Sequence, residues 1–413
     1  MQKSLQSAAI VVGIAAAISS LVAALFFAVA AVVGNGQTPA ATTTILLSIL
    51  ALGWGMGLGM ALSGWRAREG KPSPALPLMR PWVPLLLMVP LLLMGEFIKG
   101  GALAPILIPP IHVVVSLLPA LAVAGIAIRP LQRAGMTMRL RDLIVNLAFG
   151  ALVATGLAIV VEGIASLSAL FAGAAGAMLL PGGDEALQEL FQAVEQVTVA
   201  EDPTQFLSMV YSPALVLALG IVVAVITPLI EEVCKSLGVL LTGSAWPGLT
   251  RSHAFALGVL AGAGFSLTEA LFNGAIGLPD VWAGLVALRG GTAVIHALST
   301  GLMGLAWYEI LRRPAQPLRF AGFAAAGICL HGFWNTLGGL NALTGIQAMI
   351  GDPADPLASI SGLAVVTGGL LAMTFAVALV ILVMLPNRLA QESGLEGVSV
   401  PCHEPVPLAR AGE

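Results

Sequence analysis

The sequence predicts an all-α protein, a polytopic bundle of about ten transmembrane helices around a polar intramembrane cavity. Three observations carry that prediction. Of the 413 residues, 58% are hydrophobic and only 9% are charged, where a soluble domain carries roughly 25% charged residues. Apolar runs of about the 20 residues needed to cross a bilayer recur along the whole chain. The basic residues gather in alternate connecting segments, as the positive-inside rule requires of a multi-pass membrane protein.

The runs fall at residues 8–34, 43–64, 82–97, 103–128, 143–177, 211–242, 253–274, 290–311, 319–341 and 360–385. The first is far longer than the apolar part of a cleavable signal peptide and reads as a retained span. Region 82–128 is interrupted by Pro90, Pro105, Pro109, Pro110 and Pro119. Such breaks survive in a membrane where neighbouring groups satisfy the freed backbone. The 48 glycines suit close helix packing.

Segment 65–81 carries Arg66, Arg68, Lys71 and Arg80, and segment 129–142 carries Arg129, Arg133, Arg139 and Arg141. Arg251, and then Arg312, Arg313 and Arg319, mark two further basic connections. Segments 35–42, 178–210 and 342–359 have no Lys or Arg, and Lys99 is the exception to the alternation. Both termini are therefore expected in the cytoplasm of a multi-pass cell-membrane protein. In segment 178–210, Leu187, Leu190, Phe191, Val194 and Val197 recur at helical spacing behind a capping Asp184. They predict an amphipathic helix on the outer surface. The chain from Pro386 reads as a polar tail.

Several classes are excluded. No basic tract suits nucleic acid. Cys234, Cys329 and Cys402 lack metal-ligand spacing and read as small packing or tail residues.

An ionisable side chain at membrane depth costs at least about 2.5–3.5 kcal/mol, so each one needs a reason. Four consecutive predicted spans each carry a polar face. PLIEEVCKSLG, residues 228–238, places Glu231 and Lys235 at i,i+4, in the order that favours a pair. Glu232 is turned by about 100° from Glu231. The two acids thus occupy different environments, which is how one site obtains separate acid and base roles. FSLTE sets Phe265 and Glu269 on one face, and RGGTAVIHALST sets Arg289, His296 and Thr300 on one stripe, with Ser299 beside it. HGFWN sets His331 and Asn335 on one face. Converging, these faces make a polar cavity. Elsewhere, Glu96 and Lys99 read as a local ion pair, His112 as bound to backbone at a proline break, and Glu162 as a lone acid seeking a donor.

EEVCK, FSLTE, HALST and HGFWN, in that order and one per helix, resemble the PrsW family of intramembrane proteases, distant relatives of the CAAX-processing proteases. Relatives often carry three acids where this chain has Glu231 and Glu232. The resemblance covers residues 211–341 and implies a catalytic core there. Residues 1–177 then form accessory helices, 178–210 an extracytoplasmic loop, 342–385 a loop and last span, and 386–413 a cytoplasmic tail. The implied activity is hydrolysis of peptide bonds in membrane-anchored substrates within the lipid bilayer. A transmembrane regulator such as an anti-sigma factor is the natural substrate.

The residues supply a chemistry for this. Glu231 or Glu232 serves as general base, with Lys235 tuning the pair. His296, His331 and Asn335 offer oxyanion donors. Glu269 orients a histidine or shares the water. The same region could hold zinc through Glu232, Glu269, His296 and His331, ligated from several helices because HExxH is lacking. Two rivals use the same residues differently. A proton- or ion-coupled transporter also strings Glu, His and Lys at membrane depth, but no paired repeats are visible. A silent membrane-binding protein would have no need of the acids.

Overall fold

The computed structural model describes residues 2–33, 38–178, 220–278, 280–350 and 358–398. These residues are overwhelmingly helical. Helix α1 is Gln2–Val33, and α2 (Pro39–Leu50) joins α3 (Leu58–Arg68) through a π-helical turn at Ala51–Gly57. Then come α4 (Trp82–Ile98) and α5 (Ala104–Arg133). Helix α6 (Leu140–Ala148) joins α7 (Thr155–Met178) through a π turn at Phe149–Ala154. A third π turn, Val222–Ile226, leads into α8 (Thr227–Ser244). Helices α9 (Arg251–Ile276), α10 (Trp282–Arg312), α11 (Pro317–Ile350) and α12 (Ala358–Val398) follow.

Where they are described, the ten apolar runs fall on helical segments. Among the described residues, seven helices are long and apolar enough to cross a membrane, and α4 is a shorter apolar helix. Helices α8 and α11 stand outside those seven. Both carry the polar residues described below. The shell is apolar, with Phe26 77% and Phe97 92% exposed, as lipid-facing residues must be.

Helix α9 is the centre of the bundle: 89% of its apolar window is buried, against 11% for α12. Its fit against α10 is backbone to backbone. A Cβ at Gly262 would fall on the His296 carbonyl oxygen, so only glycine permits the approach. Helix α5 runs unbroken through Pro109, Pro110 and Pro119. Beside them His112 is tied to backbone, Nε2 lying 2.8 Å from Leu271 O. The Trp282 indole N–H donates to His112 Nδ1 at 3.0 Å. An indole only donates, so Nδ1 accepts and Nε2 carries the proton. Lys99 pairs with Glu96, as its spacing predicts.

Two sequence expectations meet different outcomes. Helix α12 continues through Pro386 to Val398, where a polar tail is expected from the composition. Tertiary contacts carry the extension: Leu389 and Ala390 are buried, Ser252 Oγ is 3.0 Å from Ser393 Oγ, and Arg251 is 3.5 Å from Glu392. The amphipathic helix expected over residues 184–197 lies outside the described residues.

Candidate active site within the membrane

Helices α8, α9, α10 and α11 bring their polar faces together, and Lys235 lies where they meet. Its side chain is fully buried. Its Nζ donates to Glu231 Oε2 at 2.7 Å, to Glu232 Oε1 at 2.9 Å and to His296 Nδ1 at 2.8 Å. The ammonium also sits 4.1 Å from the centre of the Phe265 ring, a cation–π contact. An ammonium has no acceptor, so His296 Nδ1 accepts its hydrogen bond. The other ring nitrogen is then the N–H that meets Glu269 Oε2 at 2.8 Å. Arg289 stands behind, 3.7 Å from the same carboxylate oxygen. The histidine's tautomer is therefore fixed from both sides.

The two adjacent glutamates differ in their surroundings. Glu232 is fully buried. Its Oε2 accepts from Thr300 Oγ1 at 2.7 Å, and its Oε1 accepts from Lys235 and lies 3.1 Å from Ser299 Oγ. Ser299 shares its single proton with the Ile295 carbonyl at 2.8 Å. Glu231 is 7% exposed. Its hydrogen bond from Lys235 goes to Oε2, and Oε1 has no protein donor among the described residues. Glu232 is thus anchored through both oxygens, whereas Glu231 is held at one end.

His331 completes the cluster from α11. Its ring meets that of His296 edge-on, with centroids 4.7 Å apart. Nε2 is 3.6 Å from Glu231 Oε2 and Nδ1 is 2.9 Å from Glu232 Oε1. The second contact is close but off the line a hydrogen bond needs, so the buried Nδ1 lacks a hydrogen-bond partner.

Local sequence explains how α11 reaches this position. Pro228, near the start of α8, has no N–H for the carbonyls of the preceding π turn. Helix α11 packs on those carbonyls. Asn335 Nδ2 is 3.5 Å from Val223 O. Gly332 lies against Ala224 O so closely that a Cβ would overlap it. Of the residues singled out from sequence, Glu231, Glu232, Lys235, His296 and His331 are in mutual contact. Glu269 joins through the far edge of the His296 ring. Asn335 sits one turn beyond His331, directed to the π turn rather than to the carboxylates.

Glu162 on α7 is a further acid with an electrostatic line to Glu231, Lys235 and Glu269. Its buried Oε1 has no hydrogen-bond partner, so the donor its isolation calls for is absent among the described residues. Its burial in an apolar span was the one signal in sequence. Thr300 and Ser299 were legible on the HALST stripe, but their partner was not.

Glu231, His296 and His331 each offer a donor atom within 4.8 Å of one another. Two imidazoles and one carboxylate are a donor set that catalytic zinc uses, so the residue types fit a metal. The His296 Nδ1 lone pair is taken by Lys235 here, and Lys235 would have to release it before His296 could ligate. Glu269 and Glu232 are directed elsewhere, to His296 and to Thr300.

No curated protein and no solved structure matches the chain. A family model, described as PrsW family intramembrane metalloprotease, matches residues 139–385, more than half of the chain. The match spans α6 to α12 and so includes Glu162 as well as the four motif helices. With four polar faces closing on a buried Glu–Lys–His cluster inside a bundle of apolar helices, the chain belongs to the PrsW family of intramembrane metalloproteases.

Proposed function

We propose that this membrane protease cleaves peptide bonds of membrane-anchored proteins at the Glu231–Lys235–His331 cluster, with Glu231 facing the attacking water. The observation that carries the assignment is the unequal bonding of the two glutamates: Glu232 is anchored at both oxygens and Glu231 at one. A group that must take a proton needs a free lone pair directed at the water. Glu232 then positions Lys235, and through it Glu231. His331 is the N–H donor that α11 offers to the developing oxyanion; Asn335, turned to Val223 O, holds α11 against the π turn. Glu269 holds His296 in its tautomer. A metal held by Glu231, His296 and His331 would polarise the scissile carbonyl and acidify water.

Lys235 favours a second reading in which Glu231 works as a base with no metal, because an ammonium already lies 2.7 Å and 2.8 Å from Glu231 and His296. Substrate would approach from lipid. Leu229 and Val233, flanking the two glutamates, are 46% and 39% exposed on the outside of α8. The expected substrate is a single-span protein, and a regulator such as an anti-sigma factor suits the family likeness. Both termini are placed in the cytoplasm on the distribution of arginine and lysine.

The test is cleavage of a panel of single-span substrates in proteoliposomes by the wild type, Glu231→Gln, Glu232→Gln and His331→Ala, with and without a chelator. Loss of cleavage in Glu231→Gln with the fold retained is the expected result, and chelator sensitivity assigns the metal reading. Full activity of Glu231→Gln would overturn the assignment.

A further inference from the structure

Away from the carboxylate cluster, the N-terminal helices meet the site-bearing helices around a cavity of about 650 Å³. Its walls are of two kinds. Lys71, Arg139 and Arg141 line it with a single carboxylate, Asp142. That carboxylate is already engaged, since Asp142 Oδ2 accepts the Arg139 backbone N–H at 2.9 Å. Lys71 is paired with Glu69 at 2.7 Å, whereas Arg139 and Arg141 have no ion-pair partner among the described residues. The first amides of α6 are also engaged: Leu140 N–H bonds Pro74 O and Arg141 N–H bonds Ser73 Oγ, each at 3.0 Å. The charge left to meet an anion is therefore on side chains. An adjoining cleft shares Lys71 and Arg141 and adds Arg66. The cavity's lining also includes the apolar side chains of Leu5, Ala9, Val145 and Leu257.

The position is that of the membrane interface. Trp65, in the last turn of α3, is 56% exposed, and Trp246 lines the cavity itself. Tryptophans settle at headgroup level. Next to the cavity, α1 turns Val11, Ile14 and Ile18 outward, 46–65% exposed, as a lipid-facing surface would be.

We propose that this cavity binds an anionic phospholipid, its phosphate held by Arg139 and Arg141 and its acyl chains lying against the apolar lining residues. Basic pockets between membrane helices at the interface suit such headgroups, and guanidinium groups grip phosphate through two parallel bonds. The volume is in the range of pockets that enclose small ligands. A lipid seated there would bridge α1, α3 and α6 to Trp246, just beyond α8, and to Leu257 on α9. It would couple the accessory helices to the two helices that carry Glu231 and Glu269.

Native mass spectrometry of the delipidated full chain in detergent tests this. Phosphatidylglycerol and phosphatidylcholine with identical acyl chains are titrated separately, with inorganic phosphate as competitor. Phosphatidylglycerol is expected to bind at least about tenfold more tightly, and Arg139→Gln/Arg141→Gln to abolish that preference. Arg133→Gln/Arg319→Gln makes the same charge change elsewhere and is expected to leave it intact. Equal affinity for the two lipids, or equal loss in both double variants, overturns the proposal. Displacement by inorganic phosphate alone also overturns it, by making the ligand a soluble anion. A second readout needs no charge variant: brominated phosphatidylglycerol should quench a fluorescence component that Trp246→Phe removes, and unchanged quenching in that variant overturns the site.

Discussion

Thr300 Oγ1 donates to Glu232 Oε2 at 2.7 Å, and this bond joins α10 to α8 in the middle of the buried cluster. Glu232 Oε1 is already engaged with Lys235, so the threonine fixes the carboxylate's remaining degree of freedom. Replacing Thr300 by Val keeps the shape and removes the donor. The bond is to a charged group, worth about 1.5–3 kcal/mol, so kcat should fall about 10- to 100-fold as Glu232 releases Lys235. Thr300→Ser should restore most of it. Steady-state cleavage of one substrate by the three forms decides. A Val variant as active as the wild type would show that the hydroxyl does not hold Glu232.

Lys235 is the cation between two buried carboxylates, and its removal leaves them facing each other. Lys235→Met should cost about 3–5 kcal/mol, the usual loss when one partner of a buried pair is deleted. Arg should not substitute, because a planar fork cannot send three donors to Glu231, Glu232 and His296 as the ammonium does. Thermal unfolding in detergent measures both. A Met variant as stable as wild type would show that the cluster is not held by this charge.

Gly332 is the point where α11 touches the turn before α8. Gly332→Ala puts a methyl group against the Ala224 carbonyl and should cost about 1–3 kcal/mol by overpacking. Activity should fall more than stability, because His331 is the preceding residue and moves with the backbone. Retained activity in a stable Ala variant would show that α11 can shift without consequence.

Glu162 carries a buried oxygen without a hydrogen-bond partner, and a native chain that keeps such a group has a use for it. Glu162→Gln should raise the melting temperature and lower kcat together, the signature of a residue retained for function at a cost in stability. A variant both more stable and fully active would assign Glu162 no role in turnover.

Much of this site was legible in the linear chain. Positions i and i+4 share a helix face whatever the fold, so Glu231 with Lys235 and His331 with Asn335 could be read at once. Spacing does not give the rotation of one helix against the next. The meeting of Lys235 with His296, 61 positions apart, and the anchoring of Glu232 by Thr300 therefore needed the assembled bundle. So did the unequal roles of the two glutamates, which are identical in sequence terms. The continuation of α12 past Pro386 escaped for a related reason: a polar segment becomes helical because Arg251 and Ser252, far away in sequence, are there to meet it.

The backbone contact between α9 and α10 has counterparts on α11, where Gly327 meets Ser299 O and Gly332 meets Ala224 O in the same way. Where a carbonyl rests on a glycine Cα, sliding and turning of one helix on the other are both hindered, so the helices that carry Glu269, His296 and His331 are held in register by backbone rather than by side chains.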